Sequence, residues 1–318
     1  MGFLGKVKTM EQSRQRQLLY LGLLVMGLIA PWLGVYTVYL MTLYCFAIFA
    51  CAFNLLLGFG GMLSFGHAAF FGLSSYVTAW LITSPGLSTL EAIVGGVLAS
   101  SLLGVVFGYI AIRRSGIYFA MITMALAQIV YFVCLQASFT GGENGLQGVP
   151  RGSIMGLDLT PDSTMYYVVL FCLCAVFLAI ARIVESPFGQ VLKAIRENET
   201  RAASLGYYVN THKLIVFVMS ATLAGFAGSL KCLVLSFATL SDVVQSTSGE
   251  VILMTMLGGA GTLLGPVVGS AVVVTLQNTL ADKVGSWVNV IIGAIFVLCV
   301  LAFRKGMVGE ILALLKRT

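Results

Sequence analysis

The chain has 318 residues, 59% of them apolar and only 9% charged, with a formal net charge of +6. An average soluble domain carries about 25% charged residues, so this composition excludes a soluble globular protein and selects a membrane-embedded one. The positive charge does not indicate nucleic acid either, because the basic residues sit at the ends of apolar runs rather than on one polar face, as in membrane proteins.

Residues 1–17 are polar and carry Lys6, Lys8, Arg14 and Arg16. The apolar run that starts at Leu18 lacks an Ala-x-Ala-like cleavage site, which points to a retained N-terminal segment rather than a removed signal peptide. Candidate spans follow at about 18–35, 36–57, 66–83, 91–111, 117–137, 165–184, 213–236, 249–264, 265–281 and 287–303. A crossing helix needs about 20 residues for a ~30 Å hydrocarbon core; several of these are shorter, and 249–281 reads either as one kinked unit or as a helix pair. The runs are continuously apolar rather than alternating, which selects helices over a barrel. The expected fold is therefore all-α: a polytopic transmembrane helical bundle of about ten crossings over 18–303, some of them broken, with a tail at 304–318.

Ten crossings put both termini on one side. With that side cytoplasmic, all of the 18 basic residues except Arg151, Lys231 and Lys283 fall inside, while Glu91, Glu143, Asp158, Asp162, Asp242 and Asp282 fall in outside loops. The positive-inside rule supports this orientation and places the 185–213 loop in the cytoplasm. Lys231, late in its span, is expected to snorkel outward. The outside segment 138–164, rich in Gly, Asp and Thr, reads either as a flexible connector or as a rim for an extracytoplasmic partner.

Two glycine-rich breaks share a Gly-x-x-Gly-x-Leu frame: Gly58, Gly61 and Leu63 in one half, Gly258, Gly261 and Leu263 in the other, the second followed by Pro266. Broken hydrophobic segments at corresponding positions of two halves point to a transport site, and freed backbone groups must find protein or cavity water. Tight packing through small residues explains the same glycines. Polar residues within spans, among them Asn54, Ser64, His67, Gln128, Thr123, Thr255 and Gln277, face a bundle interior, either as helix–helix hydrogen bonds or as lining of a pathway. Asn54, Gly61, Ser64, His67, Gln128, Gly258, Gly261 and Pro266 are the pathway candidates.

The polar island 185–213 begins with Glu185 and a helix start: Ser186 as cap and Pro187 at the first helical position. Phe188, Val191, Leu192 and Ile195 recur at helical spacing, while Gln190, Lys193, Arg196 and Glu197 face the other way. A second short helix, roughly 199–205, stops at Gly206. The stripe suits either an interfacial helix in the headgroups or a docking surface for a cytoplasmic partner.

Several chemistries lack their residues. Few ionisable residues lie in the middle of a span, and no internal Asp, Glu or Arg suggests a proton relay or ion site. There is no G-x-x-x-x-G-K-[ST] phosphate loop, no G-x-S-x-G and no H-E-x-x-H. A lone His67 with no Cys/His/Asp cluster builds no metal site. The seven cysteines all lie in apolar runs and read as small packing residues.

Ser186-Pro187-Phe188-Gly189, then Ala194 to Glu199 (with Arg196, Glu197 and Asn198), Ala202-Ala203 and Leu205-Gly206, together with the stretches 54–72, 140–150 and 258–269, resemble the branched-chain amino acid ABC permeases, LivM-type subunits in particular, over nearly the whole chain. In such permeases the loop carries Glu-Ala-Ala-x-x-x-Gly; here Thr200 and Arg201 stand between Glu199 and Ala202. The resemblance implies an ABC importer permease in the bacterial inner membrane, not itself an enzyme. It implies a LivH-type second permease, two ATPase subunits that hold the ATP and Mg, and an extracytoplasmic binding protein. It also implies that 185–206 passes the ATPase motion to the spans, and that the substrate is leucine, isoleucine or valine; related permeases carry urea, short amides or aromatic acids. An ion-coupled carrier and a membrane scaffold that docks a signalling partner are the rival classes.

Overall fold

The computed structural model describes residues 25–84, 87–154, 156–284 and 306–315, with isolated positions at 22 and between 290 and 297. The expected segment 1–17 lies outside the described residues, the expected span 18–35 is described mainly from residue 25, and 287–303 lies almost wholly outside them.

Helix α1 (Thr37–Asn54) runs into a π-helical turn, Leu55–Phe59, after which the chain is non-helical until α2 (His67–Thr83). The two helices return on each other: Phe49 stacks on Phe71 at 4.6 Å and Phe53 meets the His67 ring edge-on at 5.1 Å. Helix α3 (Thr89–Ala111) opens with a capping box, Ser88 and Glu91 each accepting from the other's backbone N–H. Helices α4 (Ile117–Gln136) and α5 (Asp162–Glu185) follow, then two short helices, α6 (Pro187–Glu197) and α7 (Glu199–Ser204). The long α8 (Val209–Leu235) is the central post, packed against α1, α2 and α3. It lies parallel to α2, and small hydroxyl residues bind the two: Ser74 Oγ donates to Gly225 O at 2.6 Å, Thr78 Oγ1 to Ser229 Oγ at 2.9 Å. Short side chains let backbones approach, and each hydroxyl finds its partner on the facing helix, which is how helices associate where hydrophobicity does not separate protein from solvent.

Helices α9 (Gln245–Gly258), α10 (Gly265–Val284) and α11 (Gly306–Leu315) complete the described elements. The ambiguous 249–281 region is thus a helix pair, broken over 259–264. Among the described residues, five helices are long and apolar enough to cross a membrane: α1 with its π turn (Thr37–Phe59), α3, α4, α5 and α8. At 17 and 14 residues, α2 and α9 are shorter.

At the end of the bundle away from 185–213, the segment 138–164 is tied down rather than a free connector. Its strand β1 (Leu146–Gln147) pairs antiparallel with β4 (Phe237–Ala238), while β2 (Ser153–Ile154) and β3 (Leu157–Asp158) form a hairpin. Arg151 bonds Asp162 at 2.5 Å and donates to Leu233 O and Val234 O at 3.3 and 3.0 Å. Those carbonyls belong to the last turn of α8, whose acceptors have no helical donors and favour a cation. Lys231 does not snorkel. The chain doubles back through Ser236, in the left-handed region at φ 60°, and brings Asp242 over it; lysine and aspartate are both buried and form an ion pair.

Candidate functional site

The 185–213 loop folds as its spacing predicts. Ser186 Oγ accepts from Gly189 N at 3.3 Å and Pro187 opens α6. Leu192 and Ile195 are buried, Phe188 is half-buried and stacks on His212 at 5.6 Å, and Glu185 and Glu197 are exposed. The apolar stripe therefore faces the bundle, not a partner. Asn198 breaks the helix and caps the next: its Oδ1 accepts from Arg201 N at 2.9 Å. Ile195, Ala202 and Val209 pack together as a small core, and Glu199 closes the loop through an ion pair with Lys213 at 2.6 Å. Gly206, at φ 88°, ends the second helix as expected. What remains outward is a tip whose large side chains are apolar: Leu205 is 71% and Tyr208 80% exposed, with Tyr207 beside them. Tyr207 and Tyr208 carry no periodic signal and are not among the residues that spacing or resemblance singles out.

The two glycine breaks meet, 200 residues apart in sequence, and they meet on this loop. The Asn54 carboxamide bridges the second break: its Oδ1 accepts from Gly261 N at 2.9 Å and its Nδ2 donates to Thr262 O at 2.8 Å. Arg196 reaches in from α6 and donates to Gly58 O. Non-helical backbone inside an apolar bundle needs partners from protein or from cavity water, and one asparagine and one arginine supply them here. Glycine is required at two of these places for distinct reasons. A Cβ on Gly58 would stand 2.1 Å from Asn54 Oδ1 and 2.5 Å from Gly261 N, and Gly261 itself holds φ 82°. Gly258 and Pro266 are buried on either side of the turn, Gly258 as the last residue of α9 and Pro266 in the first turn of α10, where its missing N–H costs nothing.

Beside this knot lies a cavity of about 540 Å³. Its walls are the first break (Gly60, Gly61, Met62, Phe65), the α3–α4 turn with Arg114, and the loop with Arg196, Glu199 and Lys213. Three cations and one carboxylate line it, together with the apolar start of α4.

The other predicted pathway residues stand apart from the knot. Ser64 Oγ accepts from Gly66 N at 3.3 Å, and His67 Nε2 lies 2.8 Å from Ser220 Oγ with its Nδ1 unpartnered. Ser248 Oγ accepts the Ala68 N–H at 2.9 Å, which ties α9 to the start of α2. Gln128 pairs with Gln245 at 3.5 Å on the face between α4 and α9. One expectation needs correction: an acid does lie within the bundle, since Glu250 stands on the second turn of α9 and is half-buried. It is the second residue of the expected span 249–264. Among the described residues no group of three or more His, Cys, Asp or Glu could hold a metal ion.

A family model described as branched-chain amino acid transport system / permease component matches residues 35–300. The high-affinity branched-chain amino acid transport permease LivM of Salmonella typhimurium is 25% identical, the match covering 92% of this chain and 75% of that protein. The Escherichia coli LivM protein is 25% identical over 93% of this chain and 76% of its own. The Escherichia coli D-allose transport permease AlsC is 25% identical over 67% of this chain and 65% of its own. No solved structure matches this chain.

Proposed function

This chain belongs to the branched-chain amino acid transport permease family, and we propose on that footing that it is one permease subunit of an ATP-driven importer for leucine, isoleucine and valine. It works in the bacterial inner membrane, crossing about ten times with 185–213 and both termini in the cytoplasm. Its partners are a second permease of the same family, two ATPase subunits that bind the ATP and Mg, and an extracytoplasmic binding protein.

The observation that carries the mechanism is the contact of Arg196 with Gly58, beside the Asn54 bridge to Gly261 and Thr262. Closure of the ATPases moves the α6–α7 loop through its exposed Leu205–Tyr208 tip. Because α6 is seated on both glycine breaks, the displacement passes to the two places where the helices are already interrupted. Breaks held by a few hydrogen bonds repack at lower cost than a continuous helix, whose whole i→i−4 ladder resists bending. The alternation between outward- and inward-open states is a rearrangement of these breaks. The opposite rim, held by Arg151 and the β1–β4 pair, receives the binding protein.

The test is reconstitution of the chain with the partner subunits into liposomes. ATP supplied on the side of the ATPases should drive accumulation of labelled leucine, isoleucine or valine against a gradient, and an ionophore should leave it intact. Uptake without ATP that collapses with the ion gradient would make the chain a secondary carrier; binding of partners with no net flux would make it a scaffold.

A further inference from the structure

Glu250 has no ion-pair partner among the described residues. The polar side chain against it is Gln277 of α10, and the lysine that acts on it, Lys231, is already engaged by Asp242. Ionised together, Glu250, Lys231 and Asp242 leave one negative charge uncompensated among the described residues.

The helix that carries Glu250 has two faces. Thr247, Ser248, Val251, Met254, Thr255 and Gly258 are buried against the bundle. Ser246, Glu250, Leu253 and Met256 form the other stripe, open or half-open, and a Cβ added at Gly249 would meet no atom within 4 Å. Gln245, at the head of this helix, joins Gln128 of α4. The open stripe thus offers one hydroxyl and one carboxylate, with the Gln277 amide of α10 against the carboxylate, followed by two flexible apolar side chains. Ionisable groups within a membrane face a bundle interior, a partner or a water-filled path rather than hydrocarbon.

We infer that Glu250 is a substrate-recognition residue: its carboxylate takes the ammonium group of the amino acid in passage, with the Gln277 amide beside it and Leu253 and Met256 of the same stripe against the branched side chain. This rests on the permease reading above. An amino acid that leaves water must replace the hydration of its ammonium group, and a fixed anion whose own charge lacks a partner supplies that replacement. The site needs only one such group, because strong binding inside the pathway would slow release.

The reconstituted complex tests this with Glu250→Gln and Glu250→Asp. The glutamine variant should accumulate leucine at least tenfold more slowly than the unaltered complex, and the aspartate variant should recover a measurable part. Co-purification of the partner permease, the thermal midpoint and binding-protein stimulation of ATP hydrolysis should stay unchanged. In parallel, Glu250→Cys should react with a small water-soluble methanethiosulfonate in at least one nucleotide state and be protected by leucine. Leucine accumulation at the wild-type rate in Glu250→Gln overturns the inference. Loss of the partner permease from that variant overturns it too, as would a Glu250→Cys variant whose introduced thiol is unreactive in every state. Should the unaltered complex accumulate no amino acid at all, the permease reading fails first and the ammonium assignment falls with it; thiol reactivity still decides whether position 250 faces water.

Discussion

Asn54 holds two backbone groups of the second break with one side chain, and no other hydrogen bond to Gly261 N or Thr262 O is formed among the described residues. Each buried group left unpaired costs about 1–3 kcal/mol. Asn54→Ala should therefore lower the thermal midpoint of the purified complex by several degrees and reduce ATP-driven uptake more than tenfold. Gly58→Ala should do the same by another route, since the new methyl collides with the carboxamide oxygen and with Gly261 N. The two act on one contact, so the double variant should fall short of the sum by more than about 0.5 kcal/mol, the scatter expected of independent sites; additive losses would separate Asn54 from the first break. The sequence marks Asn54, Gly61, Gly258 and Gly261 as residues of one kind, polar or glycine inside an apolar run. It does not mark Arg196 as their partner, because a side chain that crosses 138 residues to a carbonyl leaves no periodicity. A second residue-scale prediction concerns Lys231 and Asp242. Removing one member of a buried pair costs about 3–5 kcal/mol because the other charge remains. Lys231→Met should fail to accumulate in the membrane, and Lys231→Met with Asp242→Asn should restore most of it. A double variant no better than the single one would show that the pair is not what holds the turn after α8.

For the α6–α7 element, spacing alone identifies the helix, its Ser186 cap and its Gly206 stop, but an amphipathic stripe does not say which surface it covers. The structure turns Leu192 and Ile195 inward, with side chains at or near zero exposure, and this separates two kinds of variant. Leu192→Asp places a charge in a packed interior, where burying it unpaired costs several kcal/mol, so it should reduce folded protein outright. Tyr208→Asp and Leu205→Asp change only exposed atoms and should leave the thermal midpoint within a degree or two. Both should nevertheless weaken capture of the ATPase subunits and lower coupled transport at least tenfold. Wild-type transport in both tip variants would move the docking face elsewhere on the loop, and a stable, fully folded Leu192→Asp would contradict its seat in the core.

At the scale of the whole molecule, hydropathy locates the long helices within a few residues, since length and continuous apolarity are all that a lipid-facing span requires. It is least accurate where the chain departs from that rule. Hydropathy assigns the break over 259–264 to the end of a span, and the polar turn that begins α9 to a loop, because both segments owe their form to contacts with Asn54, Arg196 and the Ala68 N–H rather than to their own composition. The same contacts order the ends of the bundle. Gly306 lies against Gly259, and Arg196 lies against Gly58 and Gly261, so α11, both breaks and the 185–213 loop share one end. Arg113, Arg114, Lys193, Arg201 and Lys213 belong to that end, while Asp158 and Asp162 belong to the other. Basic loops stay on the cytoplasmic side, which supports the proposed orientation with the first end inside. In intact cells, a membrane-impermeant thiol reagent should modify Asp158→Cys but not Tyr208→Cys or Glu310→Cys; in inverted vesicles the pattern should reverse. The native cysteines give a low background, because the six among the described residues are buried or half-buried. Modification of positions 158 and 208 from the same side would break the alternation of helices that brings the loop, the breaks and α11 together, and with it the route by which ATPase motion reaches the pathway.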